Sequence, residues 1–308
     1  MQLRQLEYFV AVADERHFAR AAERCFVTQP ALSAGIAKLE SELGVVLINR
    51  VHTYEGLTPE GERLIGWARR ILTEHDALKA EVSAMQQGVG GTLRLGVGPT
   101  TAVTAVDLIR ELCSRHPLVR VQLTEHLSAS AMHQRLRDFE LDAGIAYLSP
   151  DDQAGLAVQP LYEERYVLVG SPALLPDDGD TCTWADAARL PLVLLNEHTR
   201  VRQLIDDAFT AHAIDVDPQV VAESVSSLMG NVRDGQWATI APHTLLAQEP
   251  ETTGLQMRAL VDPEITIGVV LAMNAAARDA SAVRALGAAA ASLNLHARLS
   301  YGAAPATS

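Results

Sequence analysis

The stretch HFARAAERCFVTQPALSAGIAKLESEL, residues 17–43, decides the architecture of the N-terminal part of this chain. It reads as two short helices joined by a tight turn. Thr28 is a good N-cap, because its hydroxyl can accept from the free amides of a first helical turn. Pro30 falls inside that turn, where a missing N–H costs little. Leu32, Ile36, Leu39 and Leu43 recur at i, i+4, i+7 and i+11 and form one apolar face. Gln29, Ser33, Ala37 and Lys38 fall away from it. Upstream, Phe18, Ala21, Ala22 and Cys25 make a shorter helix with small residues where a second helix must come close. A helix pair of this kind either offers a polar face to a DNA major groove or sits as an ordinary hairpin in a core.

Working outward, ELGVVLINR (42–50) ends the second helix at Gly44, and VHTYEGLTPEGERL (51–64) predicts a short hairpin, or wing, around Gly56. Arg50 and His52 would be available to phosphates there. Thr58 then caps a long helix with Pro59 at its first position. Leu64, Ala68, Ile71, His75, Leu78, Val82 and Met85 follow at spacings of four and three, a heptad seam suited to pairing two copies in parallel or antiparallel, or else to lying on its own domain. The run QQGVGG (86–91) ends this helix in a flexible joint.

Composition narrows the function classes. The net charge of −13 speaks against a nucleic-acid partner only superficially. Residues 1–91 carry 10 Lys+Arg against 12 Asp+Glu, and the remaining 15 and 26 lie beyond, so the acidic load is C-terminal. Neither a leader nor a membrane span is expected, which puts the protein in the cytoplasm. Cys25, Cys113 and Cys182 are sparse and form no zinc pattern. No G-x-S-x-G, H-E-x-x-H or P-loop occurs, and the ten histidines show no metal spacing. The acid pairs Asp151-Asp152, Asp177-Asp178 and Asp206-Asp207 read as solvated charge. No catalytic residue, cofactor or metal is expected.

The second half alternates strands and helices. Strands are predicted at 92–97, 118–125, 143–147, 166–170, 192–195, 219–223, 238–240 and 266–273. Helices are predicted at 101–116, 129–139, 183–188, 199–212, 225–233 and 280–295. Such alternation implies a parallel sheet with helices on both faces. Residues 160–164 and 261–265 look like crossovers between two lobes.

LRQLEYFVAVAD, FARAAE, TQPALS, KLESELGVVLINR and LTPEGERL together resemble the winged helix-turn-helix head of the LysR-type transcriptional regulators, and the likeness extends in looser form to the rest of the chain. It implies an α/β protein with a winged helix-turn-helix head (1–58), a linker and dimerisation helix (59–87), a hinge (88–91), and a two-lobed, periplasmic-binding-protein-like effector domain (92–300), followed by a disordered tail (301–308). Lobe I would be 92–162 with 265–300, and lobe II 163–264. The DNA-reading positions would fall on Thr28, Gln29, Pro30, Ser33 and Lys38, with Arg50 near the wing. Two residues depart from the family. His17 stands where Ser is common, and Ala34 stands where many members have Arg, so the operator does not carry over. The partners implied are a promoter inverted repeat in double-stranded DNA, a second subunit through the linker helix, a homotetramer, RNA polymerase, and a small organic acid or other anion.

Effector contacts are expected at strand ends and helix starts. GVGPTT (96–101) supplies Pro99, Thr100 and Thr101; it lacks the third Gly of a dinucleotide fingerprint. NEHTRVRQ (196–203) supplies Thr199 as a cap, and Arg200 and Arg202 as either solvated cations or anion ligands. Ser128, Tyr147, Ser224 and Ser226 add hydroxyls, and Trp237 either narrows the cleft or fills core. The alternatives are a thiol-switched regulator acting through Cys113 or Cys182, and a solute-binding α/β protein with an accessory helical head.

Overall fold

The computed structural model describes residues 1–50, 54–149, 151–175, 179–247, 254–299 and 301. His52, Pro150, Asp177, Asp178 and the tail beyond Tyr301 lie outside the described residues, as does the side chain of Arg50.

The head packs α1 (Leu3–Glu15), α2 (Phe18–Arg24) and α3 (Gln29–Leu43) around Phe9, Val12, Leu32, Ile36 and Leu39, each no more than 1% exposed. Gly35 is where α3 meets α1. A Cβ there would lie 2.6 Å from the Tyr8 ring, so only glycine allows this approach. The wing is an antiparallel pair of β1 (Ile48–Arg50) and β2 (Tyr54–Leu57). Glu40 anchors its base, with Oε1 accepting from the amides of Leu47 at 2.9 Å and Ile48 at 3.3 Å.

The long helix α4 (Pro59–Gln87) starts as predicted, with Thr58 Oγ1 accepting from Gly61 N at 2.9 Å. The heptad seam divides in two. Ala68 is buried in the head core with Ile65, whereas Leu78, Val82 and Met85 stay exposed. Trp67, outside the predicted seam, is exposed one turn before Ile71. Arg69 joins three units: its guanidinium reaches Asp14 of α1 at 2.7 Å and Glu140 beyond the linker at 2.5 Å.

Beyond α4 lie β3 (Gly90–Val97), α5 (Ala102–Arg115), β4 (Leu118–Thr124), α6 (Ala129–Arg137), β5 (Ala143–Ala146), β6 (Leu156–Gly170), β7 (Thr181–Thr183) and α7 (Trp184–Ala187). Then come β8 (Val193–Leu195), α8 (Arg200–Ala211), β9 (Val220–Ala222), α9 (Val225–Arg233), β10 (Thr239–Pro242), α10 (Thr244–Ala247), β11 (Gln256–Val261), β12 (Thr266–Asn274), α11 (Ser281–Ser292) and α12 (Leu295–Leu299). The strand order is β4-β3-β5-β12-β6-β11-β7, with β10 also on β6 and a separate β8-β9 pair.

Four expectations need correction. Gly90 and Gly91, assigned to a flexible joint, begin β3 and pair with Leu118 and Val119. The wholly parallel sheet is instead mixed: β12 runs antiparallel to both β5 and β6, and β10 and β11 run antiparallel to β6. The crossover at 160–164 is no break but the middle of one 15-residue strand. Residues 156–165 of β6 pair with β12, and 166–170 pair with β10 and β11, so β6 belongs to both lobes. Pro160 looks like a strand breaker, since it lacks a ladder N–H. A register shift between Val269 and Val270, opposite Tyr162 and Pro160, accommodates it and bends the strand at the junction. Tyr301, expected in the tail, stacks edge-on against His243 with centroids 5.4 Å apart.

Candidate DNA-reading helix and interlobe cavity

On α3 the apolar face is spent on the head core, and the opposite face is open. Thr28, Gln29, Pro30, Ala34, Ala37 and Lys38 are exposed, and Ser33 is half-buried. The helix starts where predicted: Thr28 Oγ1 accepts from Ala31 N at 3.4 Å. His17 fills the cap position of α2 in place of a hydroxyl, its Nδ1 accepting from Ala19 N and Arg20 N at 3.2 and 3.4 Å. Phe26, unnoticed in the sequence, is 95% exposed in the turn before α3, with φ of 55°.

Two cavities bear on function. The larger, about 1150 Å³, lies among head, linker and lobe I. Four of the arginines that line it are paired: Arg69 with Asp14 and Glu140, Arg94 with Asp142 at 2.6 Å, Arg24 with Asp14 at 2.9 Å, and Arg135 with Glu140 at 3.8 Å. It is a charge-balanced joint. The smaller, about 450 Å³, opens between the lobes, and its walls are helix starts. Gly98, Pro99 and Thr100 precede α5; Ser128 caps α6, Thr199 caps α8 and Ser224 caps α9. Four positive helix ends thus face one space. Arg200, His126 and His198 line it as well, with Glu223 as the one carboxylate among the described lining residues. Asn196 occupies that carboxylate, with Nδ2 donating to Oε2 at 2.9 Å.

Of the predicted effector residues, Pro99, Thr100, Ser128, Tyr147 and Thr199 line this cavity. Thr101, Arg202 and Ser226 do not. Thr101 is fully buried, its hydroxyl accepting from Gly98 N at 3.0 Å and bonded to Ile145 O at 2.8 Å, so it braces the turn. Arg202 turns away to Asp206 and the Leu195 carbonyl, at 2.7 and 3.0 Å, and leaves its neighbour Arg200 at the cavity. Ser226 lies exposed on α9. Trp237 donates to Gln219 at 3.1 Å and packs on the core.

Behind the cavity wall sits a buried acid that sequence reasoning missed. Glu164 is 0% exposed on the shared strand β6. Tyr147 donates to its Oε2 and Thr244 to its Oε1, and Tyr162 also bonds to it. Thr100 Oγ1 lies 2.8 Å from Tyr147 Oη, and Thr104 Oγ1 lies 2.5 Å from Tyr162 Oη. Burial pushes the Glu164 carboxyl up to about 7, against the three hydroxyls that favour its ionised form. The signal was there in LYEERYVLVG: Tyr162, Glu164 and Tyr166 alternate along a strand and so share a face.

Comparison with known proteins places the whole chain. Residues 3–62 match the family "Bacterial regulatory helix-turn-helix protein, lysR family", and residues 86–293 match "LysR substrate binding domain". A "Probable hydrogen peroxide-inducible genes activator" of Streptomyces viridosporus is 34% identical over 291 residues, 93% of this chain and 92% of that protein. The "DNA-binding transcriptional dual regulator OxyR" of Escherichia coli K12 is 33% identical over 278 residues, covering 88% and 89%. The structure of a full-length OxyR from Pseudomonas aeruginosa, a variant with one cysteine replaced by aspartate, superposes with a TM-score of 0.75 at 27% identity, covering 97% of this chain and 100% of that one. With a helix-turn-helix head, a long linker helix and a two-lobed sensor all matched along its length, this chain belongs to the LysR family of bacterial transcriptional regulators.

Proposed function

We propose that the protein regulates promoters in the cytoplasm by binding an inverted repeat in double-stranded DNA and responding to a small organic acid or other anion held between its lobes. The observation that carries the ligand class is the convergence of four helix N-termini and Arg200 on a space where the single carboxylate among the described lining residues is already engaged by Asn196. A cation would meet four unfavourable dipoles there.

On the DNA side, α3 enters the major groove with Gln29 and Ser33 toward base edges, while Thr28, Pro30, Lys38 and the wing at Arg50 fix the backbone register. Phe26 adds an apolar contact at the groove edge. The exposed stripe of Trp67, Ile71, Leu78, Val82 and Met85 on α4 pairs two subunits, so that two heads meet two half-sites. Pairs then associate as a homotetramer, and RNA polymerase is the partner that receives the change. A ligand acts through its different affinity for two lobe arrangements. Arg69, bonded to both head and lobe I, is the route by which that difference reaches the DNA.

The relatives' names raise peroxide sensing. No cysteine is among the described residues that line the interlobe cavity. Cys182 and Cys25 have thiols pushed up by burial, which lowers their reactive thiolate fraction. Cys113 sits on α5, which packs on β4, and β7 with Cys182 closes the other end of the strand order, so the two are badly placed for a disulfide. The experiment is a gel-shift series on promoter DNA. Gln29→Ala with Ser33→Ala should erase sequence preference while leaving salt-dependent binding. A response to peroxide that vanishes in Cys113→Ala or Cys182→Ala would replace the anion by the thiol.

A further inference from the structure

The hydroxyls behind the cavity wall form a directed chain. Thr100 and Tyr147 both line the cavity, their oxygens lie 2.8 Å apart, and Tyr147 bonds onward to Glu164. Each hydroxyl carries one proton, so the direction of every bond fixes the next. With Glu164 ionised, Tyr147 donates to the carboxylate and Thr100 donates to Tyr147. Thr100 then offers the cavity only lone pairs. With Glu164 protonated on Oε2, the oxygen that Tyr147 reaches, the carboxyl donates to Tyr147, Tyr147 donates to Thr100, and the Thr100 proton is free for a ligand. An anion needs that proton.

We propose that Glu164 is a positioning residue for the cavity ligand: through Tyr147 it sets whether Thr100 presents a proton or a lone pair, so an anion bound at Thr100 takes up one proton at the lobe junction. This rests on the anion-binding function argued above. The site is built across the fold. Glu164 comes from the strand shared by both lobes, Tyr147 from lobe I, and Thr244 from α10 of lobe II, so proton uptake also changes a bond that holds the lobes together. The groups facing Glu164 are hydroxyls: Tyr147 beyond β5, Thr104 of α5 through Tyr162, Tyr166 of β6, and Thr244 of α10. On β6 Glu163 is exposed on the opposite side of the strand and Arg165 pairs with Glu264, while Arg200 of α8 is close enough to act on Tyr166. Before α10, His243 bonds to the Arg165 amide and the Leu299 carbonyl. The facing stretch of β12 carries no charged residue. The carboxyl titrates near neutrality, where the exchange has physiological reach.

Calorimetry with benzoate and succinate on the full-length protein tests this, in two buffers of different ionisation enthalpy from about pH 6 to about pH 8. The extra proton taken up per anion by wild type over Glu164→Gln should rise from near none at about pH 6 to close to one at about pH 8, and its affinity should fall up to about tenfold per pH unit above neutrality. His126 and His198 line the cavity in both proteins, so the difference between wild type and Glu164→Gln isolates Glu164. Thr244→Val, outside the cavity, removes a donor that favours the carboxylate and should move the midpoint to higher pH; it decides the matter alone should the Gln variant not fold. Equal proton uptake in wild type and Glu164→Gln, or an unmoved midpoint in Thr244→Val, overturns the coupling. Binding of neither acid at any pH overturns the anion cavity itself, and the coupling with it.

Discussion

Two glycines on one helix should respond to the same substitution with opposite signs. Gly61 lies in the first turn of α4, against the wing. A Cβ built there falls 2.1 Å from the Leu47 carbonyl oxygen and 3.0 Å from its carbon, well inside any real contact. That carbonyl accepts from Thr58 N at 3.0 Å, and the Thr58 hydroxyl donates to Val46 O at 2.6 Å, so the clash strikes the joint between wing and linker. The obstacle is backbone and cannot rotate away. Overpacking costs about 1–3 kcal/mol and the strained hydrogen bond about 1 more. The better helix propensity of alanine returns about 1 kcal/mol. Gly61→Ala should therefore destabilise the head by about 1–3 kcal/mol. At Gly66, on the same helix, the nearest atom to such a Cβ is Asp138 Oδ1 at 3.9 Å. There the propensity gain stands alone, and Gly66→Ala should stabilise by about 0.5–1 kcal/mol. Urea unfolding followed by circular dichroism, with a gel shift on the same samples, measures both. A Gly61→Ala protein as stable as wild type, or two variants shifted in the same direction, would refute the packing of wing on linker.

Other consequences are as specific. His17→Ala should cost about 1 kcal/mol through the lost cap of α2, and His17→Ser should restore it, read from thermal unfolding. Glu164 has a folded value of about 7 against an ordinary 4.5, so the native state holds the extra proton between those limits. Its contribution is then fully present below about pH 4.5 and falls by about 3 kcal/mol as pH rises to about 7. Glu164→Gln should flatten that part of the urea-midpoint profile, and an unchanged profile would show the carboxyl to be ordinary. Thr100→Trp should fill the interlobe cavity and abolish the ligand response at unchanged DNA affinity, while a normal response would exclude that wall.

What was legible in the sequence was local. Thr28, Thr58 and Thr199 announce their helices because capping is decided within four residues, and the open face of α3 follows from the period of Leu32, Ile36 and Leu39. The same local logic found Thr100 and Thr199 at the cavity, since helix starts line it. It failed where the partner is remote. Pro160 suggested a break because its compensating bulge lies against Val270, more than a hundred residues on. The antiparallel β12 was read as one more parallel strand because pairing direction leaves no mark on periodicity. β7, β11 and α10 are too short or too irregular to carry a pattern. Arg200 and Arg202 read alike because the first turn gives no hint that Asp206 would claim Arg202. The Tyr147–Glu164–Thr244 cluster joins three segments, and only its middle shows in the sequence as an acid between tyrosines.

The proposals of DNA reading by α3 and of anion sensing between the lobes meet in one measurement: a footprint of the purified protein on the DNA upstream of its own gene, with and without a panel of small organic acids. A two-fold protected site is expected, its extent changing with at least one acid and that change lost in Thr100→Trp. A site that no anion alters would contradict the cavity's role, and no protection at low salt would contradict the DNA-reading assignment of α3.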